Sequence, residues 1–372
     1  MANNYKRRAG DRVDGRRLRS LNGFYNFIPF IMPTRNDALN YYEESFEITN
    51  ADRWFRKQRV AGYKGMGMLH LLIAAYVRAC AYLPGLNRFC VGKRIYSRED
   101  IEIVMTVKRS LTIDSSETTI KVTFKPTDTI YDVYSRMNAA IDEIKNSDEE
   151  NGTEEFANKF ASLPRFVISF AIWLLRVADY FGLLPKKLLD VSPFHGSMII
   201  TDLGSLGIGP IYHHIYNFGT LPVFVSFGAK RHVHELDRHG NVVDRKYVDS
   251  KFVLDERTVD GHYYASVFKI INRIIQDPSI LEVPQRSTRT SSDKKHLRLH
   301  ELCSRIFLFF RGKISAVINM MKKTGRQTLR LQDTPSIVSF ASVVGQKEGE
   351  GPIGHCFDKI CLDAYFGEKS WE

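Results

Sequence analysis

Cysteine is scarce and scattered: five in 372 residues, at positions 80, 90, 303, 356 and 361. No Cys-x-x-Cys pair and no Cys/His spacing suited to zinc occurs. A disulfide scaffold and a zinc module are therefore excluded, no metal site is expected, and a reducing cytoplasm is the natural setting. Long apolar runs are missing too. The nearest approach lies in residues 164–185, where the uninterrupted stretch from Phe166 stops at Leu175, before Arg176 and Asp179. A spanning helix needs about 20 apolar residues. The segment reads first as a buried or interface helix, with a weak membrane-surface contact as the other reading. The first twenty residues are basic but lead into no signal-peptide core, so secretion is not expected.

Net charge of one sign is also absent where a nucleic-acid-binding fold would carry it. The formal charge of the chain is +11, yet residues 21–285 hold 31 basic and 31 acidic side chains. The excess sits at the flanks: +5 in residues 1–20 and +10 in residues 286–330, against −4 in residues 331–372. A neutral central domain places nucleic acid low among the partners. The flanks read as a basic N-terminal arm (1–20) and, after Pro284, a Ser/Thr/basic linker (285–322) with a short amphipathic piece.

The central region alternates between two periodicities. Residues 66–83 are long, apolar and Ala-rich, which suits a buried helix. Residues 102–107 and 118–124 are β-branched and alternate, as strands do. Ile130, Val133, Met137 and Ile141 share one helical stripe, which Thr127 or Asp128 is placed to cap. Residues 146–153 form a polar loop. Residues 197–200 and 222–227 are apolar strands, and Arg238-His239-Gly240-Asn241 turns between two long ones, the second ending near Leu254. A helix over 263–275 follows, with Val267, Ile270, Ile271 and Ile274 inward. No repeated βαβ order appears, so the expected class is α+β, a mixed sheet covered by helices as a two-layer sandwich.

The most informative string is Asp255-Glu256-Arg257-Thr258-Val259-Asp260-Gly261, between a strand and a helix. Upstream stand Gly196-Ser-Met-Ile-Ile-Thr-Asp-Leu-Gly-Ser-Leu-Gly207 and Phe218-Gly-Thr-Leu-Pro-Val-Phe-Val-Ser-Phe-Gly-Ala229. Together with Leu83-Pro-Gly-Leu-Asn87, this ordered set resembles the catalytic domain of the dihydrolipoyl acyltransferases of 2-oxo acid dehydrogenase complexes. That family shares its fold with chloramphenicol acetyltransferase. The resemblance covers residues 14–284. It implies a homotrimer with active sites between subunits, coenzyme A as the acyl-carrying substrate, and a lipoyl-type or other small-molecule acceptor. It also implies that Thr201 matches the family's oxyanion-stabilising serine. Asp260 would be a structural carboxylate paired with an arginine, and Arg257 and Gly261 belong to the same motif, Gly261 permitting a tight entry into the helix.

Acyl transfer to a thiol or hydroxyl needs a base for the acceptor's proton and a donor aimed at the developing oxyanion. Thr201 can be that donor. The base is where the chain departs from the family, which reads Asp-His-Arg-x-x-Asp-Gly-Ala at this point. Glu256 occupies the histidine position, and a carboxylate near ~4.3 facing a thiol near ~8.5 is mismatched by about four units, nearly 6 kcal/mol. His262, six residues on, is the other candidate base. The alternatives are thus an acyltransferase using Glu256 or His262, or a non-catalytic trimeric binding or assembly protein. No lipoyl-lysine module precedes the match, so a free-standing protein is expected. His213-His214 is read as adjacent strand residues pointing to opposite faces, unsuited to a metal. His232 and His234 share a face but lack further ligands. Gly204-Ser-Leu-Gly-Ile-Gly209 lacks the context of a phosphate loop and reads as a turn.

Residues 323–372 have a different texture. Val344-Gly-Gln-Lys-Glu-Gly-Glu-Gly-Pro-Ile-Gly354 and Phe366-Gly-Glu-Lys-Ser-Trp-Glu372 resemble the extreme N-terminus of the stage V sporulation protein AD family, whose fold is thiolase-like. Some fifty residues cannot bury enough surface to form that domain. A fusion ending in a truncated fragment is expected, with a sporulation-associated role as a further alternative.

Overall fold

The computed structural model describes residues 7–21, 23–108, 117–146, 164–237 and 239–285, and four short strands beyond residue 320. The chain divides into two compact units, residues 1–288 and 289–372. The polar loop expected after residue 146 and the linker lie outside the described residues, apart from the strand that opens at Met321.

The first unit begins with the short strand β1 (Arg16–Arg17) and helix α1 (Gly23–Ile31). Next come β2 (Leu39–Glu47), α2 (Thr49–Val60), α3 (Met68–Tyr82), β3 (Arg88–Val91), β4 (Arg94–Ser97), β5 (Ile101–Lys108) and β6 (Glu117–Phe124). Helices α4 (Ile130–Asn146), α5 (Arg165–Phe181) and α6 (Lys186–Val191) precede β7 (Met198–Asp202), β8 (Val223–Leu236), β9 (Val242–Asp255) and α7 (Gly261–Gln276). Six strands make one mixed sheet in the order β2-β9-β8-β7-β5-β6. The β7 strand runs parallel to both β5 and β8, and the remaining pairs are antiparallel. A small sheet, β1-β4-β3, stands apart.

Strand alternation explains why the sheet has two unlike faces. Met198, Ile200, Val223, Val225 and Leu254 enter the large core with the helices. Twelve residues of α3 are buried there, and α7 contributes the stripe Tyr264, Val267, Phe268, Ile271, Ile274 and Ile275. Their neighbours Ile199, Phe224 and Val253 point the other way, into a smaller cluster with Val104, Ile215 and Leu221. That second face is covered by residues 207–222, which form no regular element beyond Leu206. The arrangement is the expected α+β two-layer sandwich.

Three local expectations change. The cap of α4 is Thr129: its hydroxyl accepts from Asp132 N–H at 3.3 Å, and Asp132 in turn accepts from Thr129 N–H at 2.8 Å. Neither Thr127 nor Asp128 does this, because Asp128 instead receives Lys125 N–H and Arg136. Helix α5 is present, but Asp179 is its one buried residue. Phe166, Phe170, Trp173, Leu174 and Phe181 are all exposed, as are Phe24, Phe27, Phe30 and Ile31 of α1. The basic N-terminal arm is not a free flank where it is described: Arg12 is 3% exposed and bound to Asp14 and Asp179 at 2.8 and 2.7 Å.

The second unit is described only as an antiparallel pair, Met321–Lys323 with Leu329–Leu331, and a parallel pair, Val343–Gly345 with Lys359–Cys361.

Candidate functional site

The motif loop begins where β9 ends. Asp255, 1% exposed, accepts a two-pronged bond from Arg257, Nε to Oδ1 at 2.9 Å and Nη2 to Oδ2 at 2.8 Å. Arg35 adds a third contact, Nε to Oδ2 at 3.3 Å, and spends its other donors on the carbonyls of Tyr216, Gly219 and Cys90. Burial alone would lower the Arg257 guanidinium, but the fork to Asp255 holds it above its ordinary value. Complete burial pulls Arg35 below its own, against the pull of Asp255. The loop is thus held by one carboxylate under two buried guanidiniums, the geometry in which arginine exceeds lysine.

The arginine partner expected for Asp260 is therefore found at Asp255. Asp260 is exposed and caps α7, accepting Tyr263 N–H at 2.8 Å and the Tyr25 hydroxyl at 3.2 Å. Gly261 likewise has a different place from the one expected. Its φ is not positive and nothing lies within 4 Å of where a Cβ would stand, so no conformation there demands glycine. The glycines that are demanded lie upstream. Gly219 has φ +89° with a Cβ position 2.0 Å from Phe194 O, and Gly204 would meet Gly228 O at 2.6 Å. Gly204–Leu206 is a short 3-10 turn, not a phosphate loop. The Pro84–Asn87 turn docks on α7 through Gly85 N–H, which donates to the Tyr263 hydroxyl at 2.6 Å.

The three chemical candidates occupy separate places. Glu256 is half-buried; its N–H donates to Ala38 O at 2.9 Å, and its carboxylate has no hydrogen bond or ion pair among the described residues. His262 is exposed on the first turn of α7. Thr201 is half-buried on β7, opposite Ser226 of β8, and its hydroxyl takes no hydrogen bond among the described residues. Ser226 in turn pairs with Lys251, five residues before Glu256. Five strand steps and two strand spacings separate Thr201 from Glu256 by about 19 Å. One chain does not bring them together.

Sequence reasoning missed two clusters of buried charge. One is the Arg35–Asp255 contact, bridging 220 residues. The other, Arg12, Asp14, Arg98 and His195, lines one side of a cavity of about 450 Å³ whose rim carries the exposed Lys186 and Asp190. Burial works to raise Asp14, but Arg98 and Arg12 hold it below the usual carboxylate range. Burial keeps His195 below its usual value despite Asp179 3.4 Å away. Nearby Lys121, bonded to Leu189 O, is lowered by burial to about 8. No short motif marks the Arg35–Asp255 and Arg12–Asp179 contacts, whose partners lie 220 and 167 residues apart.

His213 and His214 lie in the covering segment 207–222 and not on a strand, so opposite-face geometry does not apply to them. His232 and His234 are on β8, and His232 Nδ1 lies 3.1 Å from Asp244. Among the described residues no three His, Cys, Asp or Glu side chains are grouped to hold a metal, and no helix is long and apolar enough to cross a membrane. Cys90 is buried and pushed up to about 11, so it offers no thiolate nucleophile near neutrality.

Residues 325–372 match the model of the family described as stage V sporulation protein AD. No curated protein matches the chain by sequence. Among solved structures, it is similar to a probable dihydrolipoamide acetyltransferase from Listeria monocytogenes 4b F2365, at 14% identity and TM-score 0.44 over 70% of this chain and 95% of that one. The Azotobacter vinelandii dihydrolipoamide acetyltransferase gives 14% identity and TM-score 0.45, over 70% and 88%. A chloramphenicol acetyltransferase gives 14% and 0.43, over 67% and 93%.

Proposed function

We propose that residues 14–284 form an acyltransferase-like domain that moves an acyl group between coenzyme A and a thiol or other small acceptor. Thr201 is its oxyanion donor. The observation that carries this reading is the pairing of an uncommitted Thr201 hydroxyl with a motif loop whose Glu256 carboxylate is equally uncommitted. The Asp255 clamp holds that loop rigid, as a preorganised site requires. Because about 19 Å separates the two within a chain, they meet only across a boundary between copies. A homotrimer supplies such boundaries. Glu256 and His262 can then take a proton from an acceptor bound against a neighbour's Thr201. A cytoplasmic setting is supported by the free, buried thiols of Cys80 and Cys90. The exposed Phe and Trp side chains of α5 support a weak membrane-surface contact.

The test follows formation of acetyl-dihydrolipoamide and free coenzyme A from acetyl-coenzyme A and dihydrolipoamide by chromatography. The parent is expected to transfer, and Thr201→Ala to lower kcat by about 10²–10³-fold, the cost of one oxyanion donor. Glu256 in the histidine position favours one second reading, a non-catalytic trimeric binding protein. A silent parent with an active Glu256→His variant establishes that reading and ends the first.

A further inference from the structure

The covering segment 207–222 runs back along β8 on the face that Thr201 shares. Ser226 donates its hydroxyl to Ile211 O. Two residues on, the His213 ring stacks on Phe224, with centroids 4.3 Å apart and planes 9° from parallel. Two more residues on, Ile215 enters the small cluster with Phe224 and Ile199. Phe224 is the register partner of Ile199, and Ser226 of Thr201. Alternation therefore puts Ile199, Thr201, Phe224 and Ser226 on one face, with His213 lying over it. Thr201 is two strand steps and one strand spacing from Phe224, about 8 Å.

His213 Nε2 is buried and has no hydrogen-bond partner among the described residues. A buried polar nitrogen without a partner is a cost that native structures rarely carry for nothing. Burial first, and the neighbouring His214 second, lower His213 and so favour the neutral, proton-accepting imidazole. The segment is anchored on both sides of it. Tyr212 packs edge-on against Tyr41 at 5.4 Å, and Asn217 accepts Arg35 N–H at 2.9 Å. The ring is thereby held in place.

Resting on the acyl-transfer reading, we propose that His213, on the same chain as Thr201, is the general base that supplies the imidazole missing from the motif loop. The span suits the chemistry. An imidazole accepting from a thiol, the S–C bond under formation and a hydroxyl donating to the carbonyl oxygen span a length comparable to the about 8 Å of sheet between Thr201 and Phe224, the residue on which His213 stacks. The acceptor's S–H proton passes to His213 Nε2 as its sulfur bonds to the acyl carbon of acyl-coenzyme A. Thr201 donates to the tetrahedral oxyanion. Collapse breaks the bond from the acyl carbon to the coenzyme A sulfur, and His213 returns the proton to that sulfur. Nothing is oxidised or reduced.

The test uses the full chain with acetyl-coenzyme A and dihydrolipoamide. His213→Gln keeps a polar side chain of similar size and is expected to lower kcat by about 10²–10⁴-fold, the usual share of a general base. His214→Gln is expected to stay within threefold of the parent. His213→Ala is expected to regain activity with imidazole in the buffer, a rescue that a merely structural role does not give. Circular dichroism and thermal melting of each variant separate loss of chemistry from loss of fold. A parent that transfers, with His213→Gln equally active, overturns this assignment alone. So does an equal loss in His214→Gln, or a folded His213→Ala that imidazole does not rescue. A parent that transfers nothing overturns the acyl-transfer reading and this one with it.

Discussion

Replacing Asp255 by Asn tests whether the motif loop is held as the geometry requires. The substitution keeps size and removes the charge of the carboxylate that both Arg35 and Arg257 contact directly, their side chains being 3% and 5% exposed. Their remaining partners are neutral carbonyls, those of Tyr216, Gly219 and Cys90 for Arg35 and of Met32 and Pro33 for Arg257. Stranding buried charge by removing one partner costs about 3–5 kcal/mol. At about 2–4 °C per kcal/mol for a domain somewhat smaller than this one, the midpoint of melting falls by about 10 °C. Urea unfolding followed by circular dichroism measures the free energy, and calorimetry the melting temperature. Arg257→Met in the Asp255→Asn background should then cost at least about 2 kcal/mol less than in the parent, the coupling expected of groups in direct contact. A loss below about 1 kcal/mol for Asp255→Asn is the value of an exposed ion pair, and it would refute the claim that this clamp holds the loop.

Three further predictions concern the same frame. Burial lowers Lys121 in the folded state to about 8, below the ordinary lysine value of 10.5. Between those values the unfolded chain binds more protons, so stability should rise with pH from about 8 to about 10.5. The cost of burying the cation is fully present below pH 8. Urea midpoints of the parent minus those of Lys121→Met should show this rise, and a flat difference would remove Lys121 as its source. Gly219→Ala should destabilise by more than about 2 kcal/mol, since a positive φ already costs about 1–2 and the new Cβ meets backbone. Gly261→Ala should be neutral or stabilising by up to about 1 kcal/mol in the same denaturation assay, because alanine is the better helix former.

The strands and helices were legible because their periodicities are strong and local. The alternation of residues 118–124 and the stripe through Val267 and Ile271 each reflect one buried face. Helix α5 shows the limit of that logic. Its composition is that of a buried or interface helix, and on the single chain its Phe and Trp side chains are exposed, because composition states that a surface is apolar and not what covers it. Sequence does not single out Thr129 as the cap, because two equally suitable residues precede it and only the turn geometry selects among them. The motif loop is legible as a string, but the resemblance points to Asp260 as its clamp. A carboxylate at the start of a helix is recruited by free backbone N–H groups, which leaves the arginines to Asp255.

By itself the sequence determined the α+β class, the strongly periodic elements α3, β5, β6, α4, β7, β8, β9 and α7 in their order, the neutral charge of the central domain and the position of the Asp-Glu-Arg loop. These follow from spacing along the chain, where the physics is local. The tertiary structure alone decided which charges pair: Arg12 with Asp179, and Arg35 with Asp255. It also decided that Thr201 and Glu256 stand apart within one chain, and that His213 lies on the face of Thr201. Such relations depend on sheet register and strand order, which bring together residues whose separation in sequence carries no signal.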